Sequence, residues 1–158
     1  MNHAELVALG AQWLFRKKYP LVVTELVTYA GEVPDVLAMG NYNSYLIECK
    51  TSRQDFKNDQ FKPWRTDEKS IGNYRSYLCP EGLIKESEVP FGWGLLHERN
   101  GKVKKIIEAP FRKKGGYSKE YLILMSLIRR IGANAPAGVS VSCYKYETKN
   151  NATMGVRE

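Results

Sequence analysis

Pro34-Asp35-Val36-Leu37-Ala38-Met39-Gly40-Asn41-Tyr42-Asn43-Ser44-Tyr45-Leu46-Ile47-Glu48-Cys49-Lys50 is the stretch that decides the fold of this chain. Two short apolar runs flank Gly40-Asn41-Tyr42-Asn43, whose residue types favour a turn, so the stretch reads as an antiparallel hairpin. Side chains alternate along a strand, which puts Glu48 and Lys50 on one face and Ile47 and Cys49 on the other. Asp35 opens the first strand, and antiparallel pairing brings it to the end of the sheet where Glu48 and Lys50 emerge. Two carboxylates and an amine gathered there form a hard-cation site beside a water-positioning group. Phosphodiester hydrolysis requires that combination.

Upstream, Leu6, Leu9, Trp13 and Leu14 form an apolar stripe at helical spacing, predicting a helix from His3 to about Lys17. Asn2 suits its N-cap and Glu5 the capping-box partner. Tyr19-Pro20 ends that helix, and Leu21 to Val27 reads as a first strand. Downstream of the hairpin, Ser52 caps a helix running to about Phe61, stopped by Pro63. Tyr74 to Cys79 follows as a strand reached by a helical crossover, hence parallel to the Glu48 strand. Trp93 to Glu98 and Val103 to Glu108 flank Asn100-Gly101, a type I′ hairpin signal. A last helix begins near Ser118, with Tyr121, Leu124, Met125 and Ile128 as its buried face and Gly132 at its C-terminal cap. The residues from Lys149 onward are polar. The expectation is one domain over 1–148 and a tail over 149–158, an α/β fold with an αβββαβ core, a mixed sheet flanked by helices, and an added hairpin and helix.

The 158 residues suffice for one domain with a real core. A net charge of +7 suggests a polyanionic partner, because lysine and arginine contacts to phosphate release counterions. Mean hydropathy is −0.43 and no apolar run approaches the roughly 20 residues that span a bilayer, so no membrane partner is expected. Met-Asn-His-Ala-Glu at the start lacks the pattern of a signal peptide. Cys49, Cys79 and Cys143 are an odd set without Cys-x-x-Cys spacing and read as reduced cytosolic thiols. His3 and His97 alone make a structural zinc site improbable. No nucleophile elbow, Walker loop or dinucleotide-binding glycine motif occurs, which leaves carboxylates with a metal as the favoured chemistry.

Pro34-Asp35 followed by Glu48-x-Lys50, on the second and third strands of an αβββαβ core, resembles the PD-(D/E)XK nucleases, whose fold is restriction-endonuclease-like. Tyr45-Leu-Ile-Glu-Cys-Lys-Thr-Ser-Arg-Gln-Asp-Phe-Lys-Asn-Asp59 with Trp64 is similar to the EIKSSxxDFxxDxKW stretch of the MmcB-type DNA-repair family within that superfamily. Cys79-Pro-Glu-Gly-Leu-Ile84, Trp93-Gly-Leu-Leu96 and Ala109-Pro110 also look like features of such chains. The resemblance covers about residues 20 to 130. Arg65 to Asn73 departs from the pattern, and residues beyond about Gly132 match none of it.

The resemblance implies a metal-dependent deoxyribonuclease, an endonuclease of DNA repair, recombination or mobile-element biology that leaves a 5′-phosphate. Asp35 and Glu48 would hold Mg²⁺, with Mn²⁺ as an alternative, and the Cys49 carbonyl would complete the protein's share. Lys50 would position the attacking water and steady charge on the phosphate. Glu25 resembles a glutamate of the MmcB-type sequences and would add an acid, or else face solvent from mid-strand. Glu5 competes for the first-helix acid of related resolvases, against its capping role. Asp55 and Asp59 read as supporting or structural acids, and Arg53 as a phosphate contact. Lys57, Lys62 and Arg65 form either a basic rim near the site or a solvated face. Arg112, Lys113 and Lys114, with Gly115-Gly116-Tyr117, form either a basic DNA-gripping loop or a charged surface turn. The Tyr121 to Ile128 stripe is core or a self-association face, and a homodimer would suit an enzyme cutting two strands. The expected location is cytoplasmic and nucleoid-associated. Two other readings stand beside this one, a non-cleaving DNA-binding module on the same fold and an RNA-directed nuclease.

Overall fold

The computed structural model describes residues 1–27, 32–62, 70–113 and 117–131. Helix α1 (His3–Arg16) starts at the expected capping box: Asn2 Oδ1 accepts from Glu5 N at 2.9 Å, and Glu5 Oε2 accepts from Asn2 N at 2.8 Å. Its inward face is Leu6, Val7, Gly10 and Leu14, while Leu9 and Trp13 are only half-buried. Gly10 lies against the sheet, where a side chain has little room. A Cβ there would lie 3.2 Å from Leu78 Cδ2 and 3.4 Å from Val36 Cγ2.

Strands β1 (Leu21–Thr24), β2 (Val36–Met39), β3 (Ser44–Cys49), β4 (Tyr74–Pro80), β5 (Gly94–Arg99) and β6 (Lys102–Ile107) form one six-stranded sheet in sequence order. The expected hairpin is present, with Val36 opposite Ile47 and Met39 opposite Ser44. Helix α2 (Arg53–Asp59) lies in the crossover, and β3 and β4 are parallel as predicted. β4 and β5 are also parallel, whereas the outer pairs are antiparallel. Asn100 and Gly101 have φ of +52° and +71°, the left-handed pair that a type I′ turn demands. The fold is therefore α/β, a mixed sheet with, among the described residues, three α-helices, the third being α3 (Ser118–Ile131).

The two faces of the sheet bury different sets. Val36, Ala38, Ile47, Cys49, Leu78 and Leu96 pack with α1. Leu46, Tyr77, Cys79, Trp93 and Leu95 pack on the other side with Phe56 of α2. There the Tyr77 ring stacks on Trp93 at 4.4 Å and meets Phe56 edge-on at 5.1 Å. This division follows from the two-residue period of β3, so the face carrying Glu48 is also the face α2 covers.

Two expectations need correction. β1 stops at Thr24, because Glu25 takes a left-handed φ of +47° that no strand continues through. In α3, Glu120 and Ile123 are buried whereas Tyr121, Met125 and Ile128 are exposed. A buried glutamate there is held by Ser44 Oγ and Gly72 N, both 3.1 Å from Glu120 Oε1, which hydropathy alone cannot foresee. The chain divides into two compact units, Met1–Ile123 and Leu124–Glu158. The expected boundary at 148/149, Gly132 and Cys143 lie outside the described residues.

Gly72, just before β4, has φ of +88°, and a Cβ there would fall 2.9 Å from both Leu46 Cβ and Tyr74 O. Gly72→Ala should therefore lower unfolding free energy by more than about 1 kcal/mol, read as a reduced urea midpoint at unchanged m-value.

Candidate active site

The β2–β3 ladder, one step beyond Val36 and Ile47, sets Asp35 against Glu48. The Cys49 backbone N–H donates to Asp35 Oδ2 at 2.7 Å, which fixes the carboxylate against β3. The Glu25 N–H donates to the Asp35 carbonyl at 3.1 Å, so the end of β1 closes onto the same place. Glu48 and Lys50 are each 3 % exposed, whereas the Asp35 side chain is 19 % exposed. Of the three, Asp35 is thus the side chain most accessible to solvent.

Lys50 is the centre of the charge arrangement. Its Nζ donates to Asp59 Oδ1 at 3.0 Å and lies 3.6 Å from Glu48 Oε2 and 3.7 Å from Asp55 Oδ1. Asp59 is fully buried, and its Oδ2 accepts the Tyr77 hydroxyl at 3.0 Å while Lys62 Nζ approaches Oδ1 at 2.9 Å. Ser52 Oγ caps α2 by accepting from Asp55 N, and one turn later Asp59 comes beneath Lys50. Spacing of four residues on α2 is what puts both aspartates on the Lys50 side.

Burial opposes the charged form of Lys50, but Glu48, Asp59 and Asp55 outweigh it and raise its pKa above the ordinary lysine value. Lys50 is therefore an ammonium at neutral pH, able to donate hydrogen bonds and stabilise anions but not to take a proton. Burial also raises the Asp35 pKa above the ordinary 3.8, against the opposing pull of the Cys49 N–H, Lys50 and His3. A carboxylate held in that state is one that a cation would favour. The Cys49 thiol is pushed up by burial and by Asp35 and Glu48, and Cys79 rises to about 11 by burial; both are buried free thiols, inert at neutral pH.

Asp35, Glu48 and Lys50 are thus brought together. Glu25 stands nearby but not mid-strand: its side chain is half exposed, and Oε1 is 3.6 Å from His3 Nε2. Glu5 is committed to its cap. Arg53 forks onto Glu88, with Nη1 at 2.6 Å from Oε2, and also donates to the Leu83 carbonyl at 3.0 Å. That contact holds the Glu88 pKa down to about 2. Arg112 is likewise engaged, donating to the Ser70 and Gly72 carbonyls at 2.9 and 3.0 Å. Lys57 and Lys113 are exposed, and Lys62 is turned to Asp59. Arg65, Trp64 and Lys114 lie outside the described residues.

Sequence reasoning passed over His3 and Tyr77. His3 Nε2 is 3.5 Å from Asp35 Oδ1, placed there by the first turn of α1. Its position depends on how α1 crosses the sheet, which no local pattern encodes. Tyr77 could have been found from the parallel register, since it stands directly opposite Glu48. Among the described residues, no three His, Cys, Asp or Glu side chains converge as a metal-binding group.

No protein-family model matches the chain, and no curated protein is significantly similar to it. Among solved structures it is similar to the SPO1766 protein of unknown function from Silicibacter pomeroyi. The two share 22 % identity over 89 % of this chain and 97 % of that one, with a TM-score of 0.62. That likeness supports the α/β fold. Among the described residues no helix is long and apolar enough to cross a membrane.

The two charges call for opposite stability effects. Lys50→Met leaves buried Glu48 and Asp59 without their central cation and should cost about 3–5 kcal/mol in urea unfolding. Asp35 behaves the other way. Its folded pKa exceeds its unfolded one, so the native state loses stability as pH rises through the interval between them. Asp35→Asn should raise the Tm at pH 7, with the gain fading below about pH 4, where the native aspartate is itself protonated.

Proposed function

We propose that this chain is a metal-dependent deoxyribonuclease of the PD-(D/E)XK type, hydrolysing phosphodiester bonds in DNA through Asp35, Glu48 and Lys50. The observation that carries the reading is the juxtaposition of Asp35, fixed by the Cys49 N–H, with buried Glu48 and a Lys50 ammonium on one sheet end. Mg²⁺ takes oxygen donors and keeps most of its waters, needing one or two carboxylates and substrate phosphate. The donor chemistry here fits that requirement, and a raised Asp35 pKa is what an added cation would reverse. Asp35 and Glu48 would hold the ion, and the Cys49 carbonyl would add a third oxygen.

A bound Mg²⁺ supplies Lewis acidity to the scissile phosphate and lowers the pKa of water. The chain's own contribution is charge and position. Lys50 donates toward the attacked phosphate and holds a water in line, stabilising the negative charge that grows there. It keeps its own proton throughout. Asp59, Asp55 and Tyr77 fix the ammonium so that its direction costs no reorganisation.

A non-cleaving DNA-binding module is the second reading, favoured by the absence of a three-side-chain acid cluster among the described residues. Labelled single-stranded, duplex and branched DNA, incubated with Mg²⁺ or Mn²⁺, separates the two. Cleavage should require metal and fall by about 100-fold or more in Asp35→Asn and Glu48→Gln. Mg²⁺ should also raise the Tm of the native chain and leave that of Asp35→Asn unmoved. Binding without cleavage on every substrate would select the second reading. Preferential cutting of matched RNA would replace DNA as substrate.

A further inference from the structure

The end of the sheet opposite the carboxylates carries its own cleft. Lys17 and Lys18, at the end of α1, form one wall of a space of about 530 Å³, and the β2–β3 turn with Tyr42 forms the other. Tyr42 is 87 % exposed at the tip of that turn, where small polar residues are the usual choice. Tyr19 lines the base, its ring edge-on to Tyr45 at 6.3 Å. Lys18 occupies a left-handed φ of +64° at the helix end, a position that ordinarily takes glycine or asparagine. The sequence keeps a lysine there at a conformational cost.

Beside it, Phe15, Arg16 and Val22 line a second groove of about 380 Å³ between α1 and β1. Phe15 is 70 % exposed. β1 is the edge strand of the described sheet. It begins next to the cleft, where Leu21 pairs with Met39, and ends where Glu25 N meets the Asp35 carbonyl. Its four residues advance about 13 Å. Cleft and groove therefore lie along one edge on the α1 side of the sheet, and the far end of that edge reaches Asp35.

We propose that the Lys17–Lys18–Tyr42 cleft is a binding site for single-stranded DNA, from which the strand runs along β1 to the Asp35–Glu48 site; the direction of travel rests on the nuclease reading. The consecutive cations Arg16, Lys17 and Lys18 match a phosphate backbone, and Tyr42 and Phe15 offer exposed rings on which bases stack without sequence preference. Duplex DNA, whose bases are already stacked, has no use for such rings.

The test is fluorescence anisotropy with a labelled oligothymidylate of about 12 nucleotides, within the 4–16 that such sites cover. It uses the full chain in EDTA, so cleavage plays no part. Lys17→Glu with Lys18→Glu should weaken binding at least tenfold and reduce the slope of log K against log salt by about 1.4, at roughly 0.7 per phosphate contact. Tyr42→Ala, which disturbs no core contact, should weaken binding by about tenfold. Lys102→Glu with Lys104→Glu, on exposed positions of the opposite edge strand, should change it less than about twofold. Equal losses in the two double variants would overturn the proposal, as would an unaffected Tyr42→Ala or tighter binding of a duplex of the same length. Loss of binding confined to the cleft in a chain that cuts nothing would leave the cleft standing and remove the nuclease reading.

Discussion

The ion pair between Lys50 and Asp59 is the contact on which the rest of this structure turns. Asp59 is fully buried and Lys50 nearly so, and the pair joins β3 directly to α2. Removing two charges from water is costly, and here the cost is offset by further partners on each side. Glu48 and Asp55 surround the ammonium; Tyr77 and Lys62 satisfy the carboxylate. Because Tyr77 is also sandwiched between Phe56 and Trp93, the polar knot and the aromatic core of that face are locked together. A displacement of α2 would have to break both at once.

The same arrangement makes the site acidic in balance. Glu25, Asp35, Glu48, Asp55 and Asp59 all lie within electrostatic reach, against Lys50, Lys62 and His3. Asp35 is nonetheless less acidic than a free aspartate through burial alone, since the Cys49 N–H, Lys50, His3 and Lys62 all pull the other way. β3 supports this tension by serving two faces. Cys49 anchors the dry side under α1, while its backbone N–H holds Asp35 and its neighbours Glu48 and Lys50 carry the charge.

Legibility in the sequence followed the range of the interaction involved. The hairpin, the capping box at Asn2, the α2 cap at Ser52 and the Asn100-Gly101 turn are all set by neighbours within a few residues, and each was readable. The meeting of Asp35, Glu48 and Lys50 was readable too, because strand alternation and one hairpin determine it. What failed depended on distant partners. Glu120 is buried on α3 through Ser44 and Gly72, far away in the chain, which rotates the inward face away from Tyr121. Glu25 leaves the strand through its left-handed φ, although its N–H still pairs with the Asp35 carbonyl. His3 enters the site only through the way α1 lies on the sheet.

Net charge does not say which cations are available to a partner. Of the basic residues that proximity suggested for a phosphate backbone, Arg53 is clamped by Glu88, Arg112 by main-chain carbonyls, and Lys62 by Asp59. These cations are engaged by acceptors of the chain itself, and a count of +7 does not distinguish them from cations without such acceptors. Guanidinium groups suit such structural work, since a planar fork can satisfy a carboxylate or several carbonyls at once. Lys18, by contrast, is an exposed lysine at a left-handed φ, with the exposed rings of Phe15 and Tyr42 near it in the fold. For a basic protein of this size, the position of a cation relative to its nearest internal acceptor says more about polyanion contact than its number does.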